Sequence, residues 1–97
     1  MAVQIRNRKE SRTENQILCK AYELIAGFSK FRFEESWPNS RGTMRQLFCE
    51  TTIQACITYR IFNKFRRWLN VKNGDDIMIT VIDRKTISIT WFECYED

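Results

Sequence analysis

The last third of the chain leaves the fewest choices of fold. Residues 77–82 and 86–92 each alternate apolar with polar side chains, and Asp83, Arg84 and Lys85 supply a turn between them. Two such runs form an antiparallel hairpin. Pairing odd positions with odd sets Ile77, Ile79 and Val81 beside Ile87, Ile89 and Trp91, leaving Met78, Thr80, Thr86, Ser88 and Thr90 on the other face. A slip of one residue would mix the two faces, so burial selects this register. One face is core and the other is mostly hydroxyls.

Helices supply the cover. Ser11 and Glu14 have capping-box spacing, after which Ile17, Leu18, Ala21, Leu24, Ile25 and Phe28 recur along one side of a helix that leaves near Gly27. Residues 31–34 alternate as a short strand, and Trp37, Pro38, Asn39, Ser40, Arg41 and Gly42 collect loop formers. For residues 43–70 two readings compete. Thr43 and Gln46 open a helix by a second capping box, and an apolar arc runs from Met44 to Leu69; residues 52–61, however, alternate and are rich in β-branched side chains, as a strand would be. The helix is preferred, because a strand ending at residue 61 would enter the next helix without turn chemistry. The expected fold is therefore α+β, with two main helices packed on a small antiparallel sheet that ends in a C-terminal hairpin. Residues 11–97 form a single domain, and residues 1–10 a flexible basic arm.

Within the second helix, aromatic and basic residues interleave. Phe62, Phe65 and Leu69 fall on one side, with Tyr59 and Ile61 at its edges, and Arg60, Lys64 and Arg67 on the other. A net charge of +4 is unevenly spread: residues 46–74 hold five Lys/Arg against one acid, whereas residues 75–97 hold two against six. Such asymmetry suits an electropositive side that meets a polyanion. The candidate nucleic-acid contacts are Arg45, Arg60, Lys64 and Arg67 on the helix with Asn63 beside them. Arg6, Arg8 and Lys9 on the arm and Trp37 as a stacking residue complete the set.

Catalytic equipment is sparse. The chain has no histidine and three glycines, which excludes Cys-His and Ser-His pairs and leaves no phosphate-binding glycine motif. Asp76, Asp83 and Lys85 loosely match the acidic pair and lysine of metal-dependent nucleases, but Asp83 and Lys85 are needed by the hairpin turn. Cys19, Cys49, Cys56 and Cys94 lack zinc-site spacing. No cofactor or metal is expected. Without an apolar leader or a membrane-length run, the chain reads as cytoplasmic or otherwise intracellular.

The sequence thus points to a non-enzymatic nucleic-acid-binding protein, RNA ahead of DNA, with the helix on phosphates and the hydroxyl face of the sheet on 2′-OH groups. The alternative is a small interaction module or inhibitor, of the kind viruses and phages use, that occupies a partner surface. A continuous second helix would also expose Cys49, Ile53, Cys56 and Ile57 on its far side, and this patch predicts a homodimer.

Overall fold

A computed structural model describes residues 4–39, 41–53 and 56–95, the side chains of residues 37–39 excepted. Five strands form one sheet: β1 (Ile5–Arg6), β2 (Lys30–Asn39), β3 (Gly42–Glu50), β4 (Ile77–Asp83) and β5 (Thr86–Tyr95). The order is β1-β5-β3-β2, with β4 also paired to β5. All pairings are antiparallel except β1 with β5, so the sheet is mixed. Helices α1 (Glu14–Leu24) and α2 (Tyr59–Trp68) complete the α+β fold.

The hairpin register agrees with the alternation: Ile77 faces Trp91, Ile79 faces Ile89 and Val81 faces Ile87. Burial along β4 is shorter than expected. Ile77 is in the core, but Ile79 is 36% and Val81 71% exposed, since α1 packs on β2 and α2 meets β5 at Trp91, the partner of Ile77 and not of the hairpin tip.

Residues 43–50 are strand, not helix, which corrects the continuous helix over residues 43–70. β3 lies between β2 and β5, with Leu47 and Cys49 buried in the core and Thr43 and Arg45 buried on the same face. Its alternation was hidden because a charged Arg45 occupies a core position while Met44 and Phe48 lie on the far face. Residues 51–53 and 56–58 form neither helix nor strand, so the alternative strand over residues 52–61 is absent from its described part. The helix begins where Thr58 Oγ1 accepts the Ile61 N–H at 3.2 Å.

Helix α1 starts two residues later than its expected box. Thr13 Oγ1 accepts the Gln16 N–H, and the Gln16 side chain accepts the Thr13 N–H at 2.9 Å. Ser11 is engaged elsewhere: its hydroxyl donates to Glu93 Oε1 at 2.6 Å and accepts from Arg45 Nη1 at 3.0 Å. The core lies between the helices and one sheet face: Ile17, Ala21 and Ile25 of the first helical segment and Phe65 and Leu69 of the second meet Leu47, Ile89 and Trp91. The Phe65 ring meets Trp91 edge-on at 6.2 Å and stacks on Trp68 at 5.9 Å.

The expected arm is built into the fold as far as residues 4–10 are described. Ile5 and Arg6 pair in parallel with Cys94 and Tyr95, and Arg8–Glu10 makes a single 3-10 turn. Cys49 is wholly buried in the core face, and Ile57 packs at its edge; Ile53 and Cys56 are exposed in the irregular segment before α2. These four residues therefore do not form the helix patch from which a homodimer was expected.

Candidate nucleic-acid interface

Helix α2 carries its basic residues in two distinct ways. Arg60, Lys64 and Arg67, spaced i, i+4 and i+7, are exposed, and among the described residues none of the three makes an ion pair or side-chain hydrogen bond. They fall on one side because 3.6 residues make a turn, and they span about 10 Å of helix axis. No Asp or Glu occurs between residues 51 and 74. Asn63, beside the row, is half-buried and accepts the Arg66 Nε–H at 3.2 Å.

The other arginines near this helix are structural. α2 ends in a Schellman arrangement: Asn70 has φ 66°, its N–H donates to Arg67 O at 3.0 Å, and the Val71 N–H donates to Arg66 O at 3.2 Å. The carbonyls that this end leaves open are taken by guanidinium groups. Arg6 donates to Leu69 O at 2.7 Å and Asn70 O at 2.8 Å, Arg12 to Trp68 O at 2.9 Å, and Arg66 to Val71 O at 2.8 Å and Lys72 O at 3.0 Å. Cations are favoured there by the negative end of the helix dipole.

Arg6 and Arg45 were expected to face a polyanion, and both are buried instead, at 4% and 5% exposure. Arg45 lies on β3, not on the basic helix, with Nε 2.9 Å from Glu35 and Nη1 3.3 Å from Glu93. Arg6 approaches the same Glu93 carboxylate at 3.8 Å. Glu93 is enclosed on every side. Its Oε1 accepts from Ser11 and from the Tyr95 hydroxyl at 2.8 Å, and its Oε2 accepts the Trp91 indole N–H at 2.7 Å. Burial pushes its pKa up, but the bonds from Ser11 and Trp91 and the charges of Arg45 and Arg6 outweigh it, leaving the carboxyl below its ordinary value of 4.5. Burial, the Glu93 hydrogen bond and the Glu93 charge together raise the Tyr95 phenol, against the opposing effects of Ser11 and Arg45.

The remaining expected residues are scattered. Arg8 is exposed with its guanidinium 4.4 Å over the Tyr95 ring, and Lys9 is exposed in the 3-10 turn. That turn touches the end of α2, where the Asn70 side chain donates to Glu10 O at 2.9 Å. Trp37 is on β2, and its side chain lies outside the described residues. Asp76 and Asp83 sit at opposite ends of β4, about 20 Å apart along an extended strand, too far to share one metal ion. Among the described residues no cluster of potential metal ligands occurs, and no helix is long and apolar enough to cross a membrane.

Two cations at the end of α2 went unread. Arg66 and Lys72, with Arg67, Asn70 and Val71, line a concavity of about 320 Å³. The signal available was Asn70, whose left-handed turn folds Val71 and Lys72 back toward the helix.

One spatial relationship bears directly on the RNA expectation. The hydroxyl row of the hairpin occupies even positions and α2 packs on the odd ones, as the Phe65 contact with Trp91 records. Helix face and hydroxyl face are thus on opposite sides of the sheet. The chain matches no family model, no curated protein and no solved structure, so the functional reading rests on these residues alone.

Proposed function

We propose that the protein binds nucleic acid without catalysing a reaction, laying Arg60, Lys64 and Arg67 of α2 along the phosphate backbone. The observation that carries this reading is the division of labour among the cations. Arg6, Arg12, Arg45 and Arg66 are committed to carbonyls and carboxylates within the fold, whereas the exposed row on α2 has no partner among the described residues. Unpaired cations in an acid-free stretch release counterions from a polyanion at little cost to the fold. Lys9 extends the basic surface past the end of the helix. Contacts confined to the backbone read shape rather than base sequence, and with the hydroxyl face on the opposite side of the sheet duplex RNA and duplex DNA stand on an equal footing.

The test is a salt series with duplex RNA, duplex DNA and single strands. Binding should weaken linearly in log–log form, and the triple variant R60A/K64A/R67A should flatten the slope by about 0.9 per lost phosphate contact on a duplex. Failure to bind any of the three at low salt sinks the proposal.

A second reading, self-association or capture of a protein partner, is favoured by the open sheet face. Ile5, Met44, Met78 and Phe92 lie there at 63%, 43%, 61% and 44% exposure, with no described helix over them. Sedimentation across micromolar concentrations, with Met44→Glu as the control, distinguishes a dimer through this face from a monomer.

A further inference from the structure

The concavity at the end of α2 has a chemistry of its own. Arg66, Arg67 and Lys72 bring three positive charges to it, and among the described residues none of its lining is acidic. Arg66 is fixed by Asn63 and by the Val71 and Lys72 carbonyls, so one wall is rigid and those two oxygens are already supplied with donors. The side chains of Arg67 and Lys72 have no partner among the described residues and are exposed. A helix C-terminus ordinarily repels anions with about half an elementary charge. Here Arg6 and Arg12 occupy the Trp68, Leu69 and Asn70 carbonyls, leaving the cations dominant.

Size and charge narrow the ligand. A volume of about 320 Å³ is at the small end of ligand sites, room for one nucleotide rather than a stretch of strand. A phosphate monoester carries about −1.5 to −2 charges at neutral pH and three acceptor oxygens, which matches three lining cations better than the single charge of a diester. Arg67 belongs both to the exposed row and to the concavity, so the row leads into it.

We propose that this concavity seats a phosphate monoester, gripped by Arg67 and Lys72 against the fixed Arg66. The group comes either from the end of a strand whose backbone lies on Arg60 and Lys64 or from a free nucleoside monophosphate. The first source rests on the nucleic-acid function proposed above; the second does not.

The experiment compares an oligonucleotide phosphorylated at the 5′ or the 3′ end with the same strand unphosphorylated. In parallel, a nucleoside monophosphate is titrated while the backbone amides of residues 66–72 are followed by NMR. One phosphorylated strand should bind about tenfold tighter than the unphosphorylated one, the worth of one charge-assisted contact. Lys72→Ala should erase that difference, whereas R60A/K64A should weaken all strands alike and preserve it. Equal affinity for all strands with amides unmoved by the monophosphate overturns the proposal and leaves nucleic-acid binding intact. An end preference that survives Lys72→Ala overturns it too. If no strand binds while the monophosphate moves those amides, the phosphate seat stands and the nucleic-acid function falls.

Discussion

The carboxylate of Glu93 accepts the indole N–H of Trp91 at 2.7 Å from two positions along the same face of β5. Trp91 meets the helices through Phe65, and Glu93 meets the N-terminal segment through Ser11 and Arg6. One strand thereby ties the apolar core to an ionic one, in which Arg45 bridges Glu93, Glu35 and the Arg12 carbonyl.

Glu93→Gln should therefore cost far more than a surface substitution. The amide keeps the shape but takes the Glu93 charge from buried Arg6 and leaves Arg45 with Glu35 alone, a loss of about 3–5 kcal/mol for a buried pair broken on one side. Urea unfolding measures it. A loss under about 1 kcal/mol would mean that water or Glu35 compensates the two guanidiniums.

The same group sets an acid limit. Its folded pKa is below the ordinary 4.5, so its contribution is fully present above about pH 5 and disappears as pH falls through the lower folded value. Wild-type stability should decline with acidification below pH 5, and Glu93→Gln should decline less steeply over that range. Parallel slopes would assign the acid sensitivity to other carboxylates.

Two arginines that look alike in sequence should behave oppositely. Arg45→Ala removes four polar contacts from a buried site and should destabilise by about 3–5 kcal/mol. Arg60→Ala, on an exposed helix face, should shift stability by less than about 0.5 kcal/mol while weakening nucleic-acid binding. Unfolding curves and binding isotherms on both variants check the contrast.

This pair also marks how far the sequence could be read. The hairpin register was legible because every odd position of residues 77–81 and 87–91 is apolar, and the core-forming side of α2 because Phe62, Phe65 and Leu69 keep helical spacing. β3 was not, since Arg45 sits where alternation demands an apolar side chain. What makes Arg45 acceptable there is Glu93, 48 residues away, a pairing that no local pattern encodes. The row Arg60, Lys64 and Arg67 was legible for the complementary reason: it depends only on helical spacing. Arg6 was misread because capping a helix 63 residues distant leaves no local trace.

Cysteine reactivity should separate by depth. Burial pushes the Cys49 thiol up to about 12, so almost no thiolate forms at neutral pH, whereas Cys19 and Cys56 are exposed. Native alkylation followed by mass spectrometry should label Cys19 and Cys56 first and reach Cys49 only with denaturant. Early labelling of Cys49 would contradict its place in the core.

Gly42 tests the open face of the sheet. A Cβ built there would stand 2.8 Å from Phe92 Cζ and 3.0 Å from Glu93 O, so the Phe92 ring covers a glycine that no larger residue can replace without movement. Two neighbours must yield, and they differ in freedom. The ring is 44% exposed and can swing aside, whereas the Glu93 carbonyl belongs to the central strand and carries the side chain of the ionic cluster. Gly42→Ala should destabilise by about 1–3 kcal/mol, the range for overpacking. Combining it with Phe92→Ala should recover only the part owed to the ring, giving a coupling energy of about 0.5 kcal/mol or more between the two sites. Full recovery in the double variant would place the whole cost on the ring, and strict additivity would place it on the Glu93 backbone. Denaturant unfolding of the wild type, both single variants and the double variant decides between them.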